Sequence, residues 1–166
     1  MRRRHKAGTA GAPSSPDTDA RQAAVALLAR RDFASGELAD RLAREGFPAG
    51  AVATVIADLT AARILDDCRF AAQYVAYHAD RGQGPRRIAM DLGHRGVAPA
   101  LIEAALAGGP DWAALAREVR IRRFGLMPPN SWPEKAKQGR FLQYRGFSSD
   151  HVRSALGPDF ESEDPP

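Results

Sequence analysis

Apolar side chains recur along this chain at helical spacing, and one short pattern of them occurs three times. In each copy a leucine lies four residues before a glycine, and apolar residues follow the glycine at one, six and ten positions. The three glycines are Gly46, Gly96 and Gly146, which stand fifty residues apart. A unit of this size buries little by itself, so neighbouring copies must cover its apolar face. The pattern therefore predicts three tandem copies of one supersecondary unit.

Helical periodicity and capping signals predict nine helices and no convincing strand, so the expected fold class is all-α. Gly46 ends the second helix where a left-handed cap conformation is needed, and Gly96 and Gly146 follow the equivalent helices. Alanine, leucine and arginine dominate the composition, which also favours helix over sheet. Helices are expected over about 19–31, 36–45, 49–62, 68–81, 85–95, 99–106, 111–124, 134–145 and 149–156.

The two ends of the chain lack this periodicity. Residues 1–18 are rich in Arg, Gly, Ala, Ser and Pro, and residues 157–166 are acidic, so both segments are expected to be disordered. Between them the helical repeats are expected to occupy residues 19–62, 63–108 and 109–156. A proline-rich loop over residues 125–134 has no counterpart in the other two repeats.

Positive charge is concentrated in the second and third repeats. The whole chain carries a net charge of +4, but residues 81–145 hold twelve basic and five acidic side chains, a net of +7. Residues 7–80 hold seven basic and ten acidic side chains, a net of −3. This asymmetry indicates contact with a polyanion, either nucleic acid or an acidic protein surface.

Other features argue against membrane insertion, export and catalysis. No run of eighteen apolar residues is present, and the basic amino terminus lacks the apolar core of a signal peptide. The lone Cys68 cannot form an internal disulfide, which fits a reducing cytoplasm. The four histidines have no metal-ligand spacing among themselves or with Cys68, so neither a metal nor a cofactor is predicted. A thiol-based enzyme or redox sensor using Cys68 remains an alternative, because a helix start and a positive neighbour favour a thiolate.

The most distinctive stretch runs from Ile64 to Val75. We expect Asp67 to cap the fourth helix and Leu65 to pack as a hydrophobic staple before it. The competing interpretation makes Asp66, Asp67 and Arg69 partner contacts, and we favour the structural one.

A second stretch, Arg81 to Arg87, joins two glycines to three arginines at the start of a helix. Its free backbone amides would suit a phosphate or a carboxylate, although the spacing is not that of a phosphate-binding loop. This anion-site interpretation and that of a solvated turn are both open.

Basic residues alternate with aromatic ones on the seventh and eighth helices. Such a pattern can follow a nucleic-acid backbone and stack bases, but we expect most of the rings to be core and the arginines to be exposed. Trp132, in the proline-rich loop, is the exception. Our candidate contacts, chosen from charge placement, are Arg81, Arg86, Arg87, Arg117, Arg120, Arg122, Arg123, Lys135, Lys137 and Arg140.

Residues 20–156 resemble the RecX family of bacterial recombination regulators. Three pieces carry the resemblance in matching order and separation: LDDCRFAAQYV, GQGPRRIAMDLGHRGV and KAKQGRFLQYRGFSSDHV. The positions that match the family motif are Leu65, Asp66, Asp67, Arg69, Phe70, Gly84, Pro85, Arg87, Gly96, Gly146 and Phe147. Most of them look architectural, and the resemblance transfers no catalytic residue.

The resemblance implies an elongated, slightly curved array of three-helix repeats that binds the recombinase RecA. It implies binding in the helical groove of the RecA–single-stranded DNA filament, which restrains ATP hydrolysis, strand exchange and co-protease activity. A long filament groove suits an extended stack with a cationic face. We expect a monomer. The main alternative is a sequence-tolerant DNA-binding helical protein, or a transcription factor, that acts without RecA.

Overall fold

The computed structural model describes residues 15–157 and is helical throughout, with no strand in that range. The helices are α1 (Pro16–Leu28), α2 (Ser35–Arg44), α3 (Ala49–Ala61), α4 (Asp67–Asp80), α5 (Pro85–His94), α6 (Pro99–Ala107), α7 (Trp112–Phe124), α8 (Trp132–Tyr144) and α9 (Ser149–Leu156). They form three consecutive groups of three, which confirms the all-α prediction of three three-helix repeats. No helix in the described range is both long and apolar enough to cross a membrane.

Two helices begin earlier than the sequence predicted. α1 begins at Pro16 rather than near residue 19, because Ser15 accepts a hydrogen bond from the Thr18 amide and Pro16 suits the first helical position. Residues 16–18 are therefore helical and not part of a disordered arm. α8 likewise begins at Trp132, which shortens the preceding loop to residues 125–131. The predictions for residues 1–14 and 158–166 lie outside the described range.

The start of α4 also differs from the prediction. Asp66, not Asp67, is the N-cap, and its side chain accepts a hydrogen bond from the Arg69 amide at 2.9 Å. The Asp67 carboxylate instead accepts from the Ser35 amide at 2.8 Å. Two adjacent aspartates thus satisfy donors in two different places, which explains why the sequence pointed to Asp67 as the cap although Asp66 is the cap.

The chain divides into two compact units. The first contains residues 15–33 and 37–65, and the second contains residues 34–36 and 66–157. In the first unit α1 packs on α3 around a core that includes Leu38, Leu42, Val55, Leu59 and Leu65. The second unit has two apolar clusters, one within α4–α6 and one within α7–α9.

The repeated sequence pattern marks the core. Leu42, Leu92 and Leu142 are completely buried. Gly46, Gly96 and Gly146 have φ values of +94°, +76° and +94°, as a left-handed helix end requires. The predicted repeat is therefore one packing unit used three times.

Candidate polyanion-binding cleft

Three helices of the second unit end beside one another and form a cationic cleft of about 210 Å³. Arg81 is the C-cap residue of α4, Arg122 and Arg123 lie in the last turn of α7, and Arg145 is the C-cap residue of α8. The cleft is lined by Arg81, Gly82, Val119, Arg122, Arg123, Phe141 and Arg145. The structure thus brings together three of the predicted contacts and one arginine, Arg145, that was not among them.

Local structure explains why arginines occupy these positions. The carboxyl end of a helix carries partial negative charge and leaves carbonyl groups without helical partners, both of which favour a cation. Arg145 illustrates this, because its Nη1 donates to the Arg81 carbonyl at 3.3 Å and so links the ends of α8 and α4. Gly82 allows the close approach: its φ is +74°, and a Cβ there would lie 2.9 Å from the Val119 side chain.

Aromatic rings and one carboxylate orient the cleft arginines. The Arg81 guanidinium lies 4.1 Å from the centre of the Tyr77 ring, and that of Arg145 lies 5.6 Å from the Phe141 ring. Stacking uses the guanidinium face and leaves the in-plane N–H donors for a carboxylate or phosphate. Arg122 is paired with Glu118 at 2.6 Å, but both side chains are exposed, so this ion pair contributes little.

The other predicted cations lie outside the cleft. Arg86, Arg117, Lys137 and Arg140 are exposed, whereas Arg87 and Lys135 are half-buried. Arg117 donates to the Ser154 hydroxyl at 2.8 Å. Arg87 lies 5.7 Å from the ring centre of Tyr144, which is 78% exposed. These cations are spread over α5, α7 and α8 rather than gathered into one site.

Arg120 is not a surface contact, and that prediction is wrong. Its side chain is 5% exposed, and it donates to the carbonyls of Leu126 and Met127 at 3.2 and 3.1 Å. It also donates to Gln138 Oε1 at 3.4 Å. The sequence placed it among exposed arginines because charge alone does not reveal that a loop folds back over α7.

The sequence left an anion site and a solvated turn both open for the stretch before α5, and the structure fits neither of them. The Gly84 amide donates to the Arg145 carbonyl at 2.8 Å, and the Arg86 amide donates to the Gly146 carbonyl at 3.0 Å. Pro85 has no amide hydrogen. The amides of Gly84 and Arg86 therefore join repeat 2 to repeat 3, so the stretch is a structural junction.

Several of the remaining motif positions are buried or pack against neighbouring side chains. Leu65 is 2% exposed and Phe147 is 1% exposed. Phe70 is half-buried and stacks on Tyr74 with 5.9 Å between the ring centres. Pro85 occupies the first turn of α5, where its fixed φ fits the helix.

The predicted aromatic core is only partly correct. Phe124 and Phe141 are half-buried and meet edge to face, 5.3 Å apart. Tyr144 is 78% exposed, against the prediction, whereas Trp132, which was expected to be the exception, is 54% exposed. Tyr77 is 55% exposed although it continues the stripe of Phe70 and Tyr74 along α4.

Two histidines have perturbed acid–base behaviour. Burial lowers the pKa of His78 below its usual value, and burial also lowers the pKa of His151. His151 Nδ1 accepts a hydrogen bond from the Ser148 amide at 3.3 Å, and Ser148 Oγ accepts from the His151 amide at 3.4 Å. This reciprocal pair is a capping box at the start of α9.

The described range offers no grouping of His, Cys, Asp and Glu side chains that would hold a metal ion. Cys68 is an exposed free thiol at the second residue of α4. The arrangement that stands out chemically is therefore the arginine cleft, which is suited to binding carboxylates or phosphates.

Fold and site together define a helical-repeat protein whose second unit carries a cationic cleft. The chain belongs to the RecX family. Models described as the first, second and third three-helix domains of RecX match residues 20–59, 66–106 and 111–156.

Relatives agree with this assignment. The chain is 45% identical over 145 residues to the regulatory protein RecX of Halorhodospira halophila, which covers 87% of this chain and 90% of that protein. It is 38% identical to the regulatory protein RecX of Vibrio campbellii, over 90% of this chain and 96% of that protein. A crystal structure of RecX from Lactobacillus salivarius matches with a TM-score of 0.74 at 20% identity, over 85% of this chain and 94% of that one, which shows the shared fold.

Proposed function

We propose that this chain is a non-enzymatic regulator of homologous recombination that binds the RecA–single-stranded DNA filament and restrains its ATP hydrolysis, strand exchange and co-protease activity. Membership of a family of regulatory proteins supports the general role. The observation that carries the specific proposal is the convergence of four arginines at the ends of α4, α7 and α8. A filament of protein and DNA presents both carboxylates and phosphates, which arginine binds through paired N–H donors.

The contact set follows from exposure. Arg81, Arg122 and Arg123 form its centre, since they are exposed and line the cleft. Exposed cations on the neighbouring helices α5, α7 and α8 extend it, namely Arg86, Arg117, Lys137 and Arg140. Arg120 is excluded from this set because it is buried.

The test is charge reversal at the centre of the cleft. We expect the combined variant Arg81→Glu, Arg122→Glu and Arg123→Glu to lose most of its inhibition of DNA-dependent ATP hydrolysis by RecA. The matched control changes three exposed arginines of the first unit, Arg30, Arg44 and Arg63, to glutamate. Both variants alter the net charge equally, so a general loss of electrostatic attraction would weaken them equally. Unchanged inhibition by the cleft variant would refute the proposal.

A DNA-binding role without RecA makes a different prediction. It requires the wild-type protein to bind DNA and to act in the absence of RecA, and a transcription factor would also show a sequence preference on duplex DNA. Salt dependence does not separate the two roles, because phosphate contacts weaken with salt in both. The decisive measurement is therefore retention of the chain on immobilised single-stranded DNA with and without RecA and nucleotide.

A further inference from the structure

The loop between α7 and α8 presents two large aliphatic side chains to solvent. Leu126 is 82% exposed and Met127 is 80% exposed, the highest values of any large apolar side chain in residues 15–157. The corresponding linkers of the other repeats behave differently: the α1–α2 linker buries Phe33, and the α4–α5 linker is built around glycines. We call Leu126 and Met127 the apolar prong.

The backbone of the prong is fixed in place. Arg120 donates one hydrogen bond to each of the two prong carbonyls, and its Nη1 also donates to Gln138, which is 7% exposed. Gly125 ends α7 with a φ of +91°, which turns the chain sharply away from the helix. Pro128 follows the prong directly, and Pro129 is buried. The exposure of the two side chains is therefore a property of an ordered loop.

The ordered loop adds little apolar burial to the isolated protein. Removing an arginine from water costs free energy that must be offset by its hydrogen bonds. Here those bonds order a loop whose largest apolar side chains gain no burial from it. A loop that is ordered before binding loses less conformational entropy when a partner takes up its side chains. This geometry is typical of a binding element, because Leu126 and Met127 are ordered, adjacent and exposed, as apolar side chains that enter a partner's pocket are.

The surroundings of the prong indicate the chemistry of its partner. Arg122 and Arg123 lie exposed in the last turn of α7, directly before the prong, so the chain that leads into it is cationic. A complementary surface is an apolar pocket with carboxylates at its rim. Such a pocket belongs to a protein rather than to single-stranded DNA, because leucine and methionine lack the aromatic face on which unpaired bases stack.

We propose that the apolar prong docks into an apolar pocket with an acidic rim on the protein component of the filament. This inference rests on the proposed function and assigns the prong to RecA, while the arginine cleft takes either carboxylates or phosphates. Two anchors entering one pocket form a compact contact of the kind that dominates binding energy at interfaces.

The first experiment locates the partner directly. A photo-crosslinking phenylalanine derivative is placed at position 126, and at position 90 as the control, since Met90 is 55% exposed on α5 of the same unit. Each protein is irradiated with RecA, single-stranded DNA and a slowly hydrolysed ATP analogue. We expect a crosslink from position 126 to RecA and little from position 90. A crosslink from position 126 to DNA, or equal crosslinking from both positions, would overturn the assignment.

The second experiment measures the contribution of the prong. We expect the Leu126→Ser, Met127→Ser double variant to need about 10- to 100-fold more protein for half-maximal inhibition of RecA ATP hydrolysis. Met90→Ser is the control and should inhibit like the wild type. Because the substituted side chains are exposed, the unfolding temperature of the double variant should stay close to that of the wild type. Binding of the double variant to naked single-stranded DNA should also be unchanged.

The outcomes separate the two proposals. If the wild-type chain does not inhibit RecA at all, the proposed function fails and the prong assignment fails with it. If the wild-type chain inhibits and the double variant inhibits equally well, only the prong assignment fails. If the double variant loses naked-DNA binding in parallel with inhibition, the prong contacts DNA and the protein pocket is refuted.

Discussion

The linker between the first two helices differs between repeats 2 and 3 in its length and in what its residues contact. In repeat 2 the linker from Arg81 to Gly84 is short, and both of its glycines pack against repeat 3. In repeat 3 the linker spans residues 125–131 and displays Leu126 and Met127 to solvent. The linker between the first two helices therefore packs against the next repeat in repeat 2, whereas in repeat 3 it exposes apolar side chains to solvent. A helical-repeat protein can thus gain a binding feature in a linker while its core pattern stays the same.

The third helices of these repeats also begin differently. α6 begins after Ala98, which makes no side-chain cap, with Pro99 in its first turn. α9 begins with a capping box between Ser148 and His151. The consequence is that only the repeat 3 cap contains a group that titrates near neutral pH.

The largest effect on stability is expected from adding a side chain where the repeat 2 linker contacts repeat 3. A Cβ at Gly84 would collide with the backbone carbonyl of Gly146 and the amide of Phe147, neither of which can move without separating the repeats. We expect Gly84→Ala to lower the free energy of unfolding by about 3 kcal/mol or more, measured by urea denaturation. The φ of Gly84 is −85°, so the cost is steric and not conformational.

Gly93→Ala is the matched control for this joint. A Cβ at Gly93 meets nothing within 4 Å, and the residue lies inside α5. Alanine should therefore stabilise the helix by about 0.5–1 kcal/mol. Equal responses at Gly84 and Gly93 would show that the glycine linker of repeat 2 is not a tight joint.

The next largest effect on stability is expected from removing the hydrogen bonds that hold the α7–α8 loop. Arg120→Met keeps an unbranched apolar stem but removes three hydrogen bonds, and it leaves Gln138 Oε1 without its arginine partner. We expect a loss of about 1–3 kcal/mol in the free energy of unfolding. Amide hydrogen exchange over residues 125–131 should also accelerate, because the loop carbonyls lose their anchor.

Arg123→Met is the control for that change. Arg123 is exposed and lies 5.8 Å from the Phe124 ring centre, so its loss should alter stability by less than about 0.5 kcal/mol. Faster loop exchange in both variants, or in neither, would contradict the role assigned to Arg120.

These differences mark the limit of what the sequence predicts. The core was predicted from the spacing of Leu42, Leu92 and Leu142 and from the glycine after each helix. This worked because helical periodicity and backbone conformation depend on residues that are close in sequence. Arg120 was misplaced because burial of a charged group depends on carbonyls that fold back from a loop.

The two interpretations of the amides at the start of α5 stayed open for the same reason. Their acceptors, the carbonyls of Arg145 and Gly146, lie about sixty residues away in sequence. The cleft was partly predicted, since charge placement selected Arg81, Arg122 and Arg123. Arg145 was missed because only the meeting of three helix ends reveals it.

The smallest effect is expected from the titratable cap of repeat 3. Burial lowers the folded-state pKa of His151 below its unfolded value, and the nearby Arg86 acts in the same direction. As pH falls from about 7.5 through 6.5, the unfolded chain takes up a proton before the folded one, so the free energy of unfolding decreases. Protonation of Nδ1 also removes the acceptor for the Ser148 amide.

His151→Gln should flatten this dependence. Glutamine at this position can still accept the amide of the N-cap residue, so the cap survives without its titration. We expect the variant to match the wild type at pH 8 and to lose less stability between pH 7.5 and 5.5 in urea titrations. His78→Gln serves as the comparison in repeat 2, because burial lowers the pKa of His78 but the residue caps no helix start. The contrary result is that His151→Gln leaves the pH dependence of stability unchanged while His78→Gln flattens it. That result would assign the pH dependence to repeat 2 and would show that the α9 cap does not cause it.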